Sequence, residues 1–216
     1  MSLLAVARRY PDVCNYVGGS PVPVGGGGLD VFDPFTGEII SRVPLSGSGE
    51  APAAVQAGQR ALPGWSNTPI KERVQIFFRY RQLLEAELAS LAPLVTEEND
   101  KVASEAQAEV LKSMELCEFA VSLPQITAGE VLEVSRGVEC RIERYPVGVV
   151  ASITPFNFPN MVPNWTIPNA IALGNAMVLK PSEQVPLSAG RIAELLREKR
   201  RADLARRVRS IMEGRP

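Results

Sequence analysis

VGVVASITPFNFPNMVPNWTIPNAIALGNAMVLKPSE, residues 147–183, is the stretch that decides the fold. Residues 147–153 are a near-continuous apolar run, the pattern of a strand covered on both faces, as in a parallel sheet. Thr154-Pro155 ends it. A helix is predicted from about Pro163 to Leu173, stopped by Gly174-Asn175. Ala176–Lys180 is a second short apolar strand, ended by Pro181. A further helix is predicted over 186–196, with Pro186 in its first turn. Strand, helix, strand, helix with short connections is a β-α-β unit, and its crossover should be right-handed. The fold class is therefore α/β, with a Rossmann-like parallel unit.

Upstream the pattern changes. Residues 134–145 alternate loosely and carry many charges, which predicts an exposed hairpin. Helices precede it. Over 104–123, Ala106, Val110, Met114, Cys117 and Val121 share one apolar stripe, so Cys117 reads as a buried core thiol. Ile70, Val74, Phe77, Leu84, Leu88, Leu91 and Val95 follow three- and four-residue steps, with Arg81 the one gap and a break expected near Pro93. A shorter helix is predicted over 51–62, ended by Leu62-Pro63-Gly64. Residues 15–49 are rich in Gly and Pro, and Asp33-Pro34-Phe35-Thr36-Gly37 is a turn signal. Residues 29–32 and 38–43 read as edge strands or surface hairpins. The glycine run 25–28 does not fit G-x-G-x-x-G between a strand and a helix, and reads as a loop tip.

Composition narrows the chemistry. The 216 residues suit one large domain or two small ones, enough for a sizeable core. Twenty-three basic and 24 acidic residues leave a net charge of -1, with no pull toward nucleic acid or an anionic membrane. The chain has no histidine, which excludes Ser-His-Asp and Cys-His catalysis, histidine metal sites and a histidine general base. Cys14, Cys117 and Cys140 are odd in number and lack C-x-x-C spacing, so neither structural zinc nor a disulfide framework is suggested. Cys140 lies among charges with no activating neighbour in sequence and reads as structural. No apolar run approaches the ~18 residues of a membrane span. Residues 1–11 place apolar residues before Arg8 and Arg9, the reverse of a secretory signal, so a cytoplasmic location is expected. Residues 197–216 carry eight basic and three acidic side chains. They read as a solvated helix end or a disordered basic arm. Without interleaved aromatics, a nucleic-acid-binding arm ranks below both.

In a parallel β-α-β unit, ligands bind beyond the carboxyl ends of the strands. Two segments reach that edge: Thr154 to Pro159, and Lys180 to Gln184. The first offers backbone groups, an aromatic wall and the Asn157 carboxamide. The second offers a cation and a carboxylate three residues apart. A lysine donates to hydroxyls or phosphate, and a carboxylate accepts from both hydroxyls of a ribose. On spacing alone, the preferred reading of Lys180 and Glu183 is a surface pair flanking a turn.

The residues themselves carry a resemblance. Residues 146–159, 170–175 and 178–183, in their order and spacing, closely resemble the aldehyde dehydrogenase superfamily. Asp33 to Glu38, Pro63-Gly64-Trp65 with Arg73, and Glu98 to Lys101 are similar to weaker motifs of that family. The likeness runs from about residue 15 to residue 196. Phe156, Met161-Val162-Pro163 and Trp165 look most like the methylmalonate-semialdehyde dehydrogenase branch, whose members acylate coenzyme A. The resemblance implies a partial aldehyde dehydrogenase fold. Residues 1–130 would be the hairpin and helical part of the cofactor domain, and 131–146 an extended hairpin of the oligomerisation type. Residues 147–196 would be the NAD-binding β-α-β, and 197–216 a divergent basic tail. It implies NAD as cofactor, an aldehyde and coenzyme A as partners in the intact family, and a homo-oligomer. Thr154 and Phe156 would contact NAD near the nicotinamide-side pyrophosphate and ribose. Lys180 and Glu183 would hold the adenosine ribose, Gln184 would border the adenine pocket, and Asn157 would be the oxyanion-hole amide. Losing one such donor typically costs ~2.7–4 kcal/mol of barrier.

One departure matters more than the match. In the family the nucleophilic cysteine and catalytic glutamate lie well downstream of the Lys-Pro-Ser-Glu motif, and none of the three cysteines here stands at that place. The expectation is the front part of such an enzyme with a foreign or frame-shifted end, inactive alone. The alternatives are a non-catalytic module that binds a dinucleotide or pairs with a full-length subunit, and a degraded reading frame.

Overall fold

The computed structural model describes residues 8–197. Two small antiparallel hairpins come first: β1 (Asn15–Val17) with β2 (Ser20–Val22), and β3 (Gly28–Phe32) with β4 (Ile39–Pro44). Helices α1 (Glu50–Ser66), α2 (Ile70–Arg73), α3 (Gln75–Ala86), α4 (Leu88–Asn99) and α5 (Ala103–Ile126) follow. β5 (Glu130–Ser135) and β6 (Val138–Ile142) form a third hairpin. β7 (Val149–Ile153), α6 (Met161–Ala172) and β8 (Ala176–Lys180) make the β-α-β unit, and residues 186–197 form α7. β7 and β8 are parallel, with Val149 opposite Ala176 and Ile153 opposite Lys180.

Strand alternation sets what lies on each face of this pair. A Cβ on Gly58 of α1 would stand 3.2 Å from Val149 Cγ1, so α1 covers the start of the odd-numbered face of β7. Ser152 Oγ lies 2.9 Å from Thr166 Oγ1, so α6 covers the even-numbered face. The main core sits among the helices. Phe77, Tyr80 and Leu84 of α3, Leu91 of α4 and Val110, Met114 and Cys117 of α5 meet Ile167 of α6 and Ile192 and Leu195 of α7. Burying each large aliphatic or aromatic side chain contributes about 1.5–3 kcal/mol. Arg81, the polar gap in the apolar series, bonds Glu118 of α5 at 2.6 Å and Glu85 at 2.8 Å on the solvent edge of this seam. A second, smaller core joins Val31 and Ile40 of the β3–β4 hairpin to Leu94 and Leu187. That hairpin therefore has one face inside the molecule, not only on its surface.

Several boundaries differ from the sequence expectations. α1 continues through Pro63 to Ser66. Trp65 Nε1 donates to Ile171 O at 2.9 Å, and this tertiary anchor outweighs the helix-breaking ring. The long apolar series breaks at Val74 and at Glu87, not near Pro93. Pro93 is exposed, and so is Ala89, whose carbonyl loses its helical donor to the proline on the solvent side of the helix. α5 ends at Ile126, later than the expected Leu123. β7 starts at Val149, and its odd-numbered face is covered only at that start: Ala151 is exposed and Ile153 is 79% exposed, beyond the reach of Gly58. Cys140 stands exposed on β6, so it has no structural place in a core, whereas Cys117 is buried as expected. The exposed hairpin spans 130–142, somewhat earlier than 134–145. Residues 198–216, most of the basic tail, lie outside the described residues.

Candidate functional site

The two loops of interest leave the same edge. Thr154 N donates to Lys180 O at 3.1 Å, one step beyond the last paired residues of β7 and β8. Past this bond, Lys180 Nζ meets Glu183 Oε2 at 2.8 Å, and both side chains are about half exposed. The lysine contact, helped by the residue's own backbone N–H, holds the Glu183 carboxyl below its ordinary range. An exposed pair of this kind adds little stability. Its effect is orientation: a carboxylate kept ionised beside ammonium donors. Gln184 N donates to Ser182 Oγ at 3.2 Å, which turns the chain into α7. On the facing loop Thr154 is buried, while Phe156 and Asn157 are exposed. Asn99 Nδ2 donates to Phe156 O at 3.0 Å. Thr154 and Lys180 thus share one edge, from which Phe156 and Asn157 follow on one loop and Glu183 and Gln184 on the other.

Polar side chains that the sequence pattern missed hold this rim from below. Glu109 of α5 is buried, and its Oε1 accepts from Asn160 N at 2.7 Å and Met161 N at 3.0 Å, at the start of α6. Its other oxygen pairs with Lys101, whose Nζ lies 3.8 Å over the Phe158 ring. Ser113 Oγ donates to Asn160 Oδ1 at 2.8 Å. Glu98 caps α7 in the same way, accepting from Leu187 N at 2.7 Å and Ser188 N at 2.8 Å. Burial pushes its carboxyl up to about 7. At the far end of α6, Arg73 Nε donates to Ala172 O at 2.9 Å, and its Nη1 to Ser66 O and Thr68 O. Glu98, Lys101, Trp65 and Arg73 belong to the weaker upstream motifs, so a signal for them existed. Glu109 lay inside an apolar stripe, between Ala106 and Val110, where periodicity registers no carboxylate.

The match to the aldehyde dehydrogenase family model covers residues 24–215. The chain belongs to the aldehyde dehydrogenase family. It is 46% identical over 202 residues to a malonate-semialdehyde dehydrogenase of Bacillus pumilus (strain SAFR-032), covering 93% of this chain and 41% of that protein. The crystal structure of a methylmalonate-semialdehyde dehydrogenase from Oceanimonas doudoroffii superposes with a TM-score of 0.85 at 39% identity, over 88% of this chain and 39% of that one. A point mutant of betaine aldehyde dehydrogenase from Staphylococcus aureus, in complex with NAD+, gives 0.82 at 28% identity, over 87% and 38%. This chain spans about 41% of the length of the curated relatives it matches.

The family match runs past residue 196, where the sequence likeness was expected to end. Among the described residues, no helix is long and apolar enough to cross a membrane.

Proposed function

We propose that this chain supplies the adenosine end of an NAD pocket and the oxyanion amide of an enzyme that oxidises an aldehyde. The Thr154–Lys180 bond carries the reading, because it joins the two rim loops into one edge. In this reading Glu183 accepts from the ribose hydroxyls and Lys180 donates to them. Gln184 borders the adenine, and Thr154 and Phe156 lie along the pyrophosphate and the second ribose. The Asn157 amide donates to the oxygen that gains charge when a nucleophile adds to the aldehyde carbon. NAD, when bound, takes the hydride. The ionised Glu183 repels a 2′-phosphate, which favours NAD over NADP. The names of the Bacillus and Oceanimonas relatives support malonate semialdehyde or its methyl derivative as the substrate, and the branch resemblance supports transfer of the acyl group to coenzyme A. The β5–β6 hairpin exposes Val131, Leu132, Val134, Val138 and Ile142, which supports pairing with further copies of the chain. A cytoplasmic location fits this soluble chemistry.

The nucleophile is the missing part. Cys117 is buried in the helical core, Cys14 lies before β1, and Cys140 sits on the β5–β6 hairpin. The purified chain therefore binds NAD without turning over aldehyde. Calorimetric titration tests this, with NADH absorbance followed in parallel. The expected result is binding of NAD in preference to NADP, weakened about tenfold or more in Glu183→Gln, with no NADH formed. Equal affinity in wild type and E183Q would remove the ribose assignment, and NADH production would remove the claim of inactivity.

A further inference from the structure

We propose that the α4–α5 junction is a positioning brace for the rim, in which Glu109, paired with Lys101, fixes the loop that carries Asn157. The loop from Thr154 to Asn160 is tied at three points. Thr154 N is bound to Lys180 O, Phe156 O accepts from Asn99, and the backbone N–H groups of Asn160 and Met161 converge on one oxygen of Glu109. Between these ties Asn157 stands exposed. Asn99 ends α4 and Lys101 precedes α5, with Asp100 between them in the left-handed conformation at φ 57°. That single turn aims Asn99 and Lys101 at opposite ends of the same loop. Lys101 balances the charge of Glu109 and lies over the Phe158 ring, next to Asn157. Ser113 adds a fifth bond, from the same helix as Glu109, to the Asn160 side chain.

Removing Glu109 leaves the buried Asn160 N–H and the half-buried Met161 N–H without an acceptor and a lysine without its partner. The loop loses its α6 end while its β7 end stays tied. The purpose of the brace rests on the nucleotide and oxyanion reading above; its mechanics rest on the bonds alone. Amide hydrogen exchange of the 216-residue chain, read by NMR, tests it. In Glu109→Leu the Asn160 and Met161 amides should exchange about tenfold faster or more, with Tyr80 and Leu84 in the core unchanged. Glu109→Gln, which keeps a neutral acceptor, should restore part of the protection. NAD affinity should fall in the same order. If E109L does not fold, Lys101→Met provides the variant, with faster exchange expected over 156–161 alone. Wild-type rates at Asn160 and Met161, or uniform acceleration reaching Leu84, would overturn the brace. A wild-type chain that ignores NAD would overturn the nucleotide reading instead, while the exchange rates still decide the brace.

Discussion

Glu98 is a carboxylate 2% exposed, held by two backbone N–H groups at the first turn of α7. Burial outweighs those bonds and raises it from 4.5 to about 7, with a smaller push from Glu109. The folded chain thus takes up a proton near neutrality, where the unfolded chain does not until near 4.5. Its contribution to stability is fully present below that lower value and is lost as pH rises through about 7. The difference amounts to up to about 3 kcal/mol. Urea unfolding between about pH 5 and pH 8 should show wild type gaining stability toward the acid end, and Glu98→Gln losing that slope. Identical slopes in the two proteins would contradict the assignment. Glu87 and Glu183 have lowered values, so their contributions are lost only as pH falls below the ordinary carboxylate range, outside this window. None of this was legible beforehand. Glu98 could be matched to a motif, but burial at a helix start is a tertiary fact.

Among the elements, the parallel strands and the helix between them were the most legible. β8 matches its expected bounds, because Gly174-Asn175 and Pro181 frame five apolar-rich residues. Gly174 does more than stop α6. Its φ is 90°, and an added Cβ would stand 2.8 Å from Pro146 Cγ and 3.1 Å from Arg73 Cζ. Gly174→Ala should therefore destabilise the fold by about 2 kcal/mol or more, measured by urea unfolding. A loss under about 0.5 kcal/mol would show that the turn and Arg73 can shift freely. The prolines were the least legible signals. Pro63 and Pro93 looked like stops, yet each lies inside a helix with its ring toward solvent. Proline weakens a helix locally, and the Trp65–Ile171 bond and the burial of Leu91, Leu94 and Val95 more than offset that.

At the scale of the molecule, topology made the candidate site readable. Two parallel strands must end at one edge, so the loops after them meet there whatever their side chains. What holds those loops was not readable. Glu109 and Ser113 act from α5, far away in sequence, and nothing in their neighbours marks them, while Asn99 of α4 lies inside the Glu98–Lys101 motif without its bond to the loop being legible there. The near-continuous apolar strand also misled at this scale: it predicts cover on both faces, while Ile153 stands open with one partner strand. The chain and its NAD rim can be tested together by a two-dimensional amide NMR titration with NAD. The account predicts that the amides of Thr154, Phe156, Lys180, Glu183 and Gln184 shift in parallel and saturably, while those of the β5–β6 hairpin stay still. Shifts confined to another face, or none at all at saturating NAD, would contradict it.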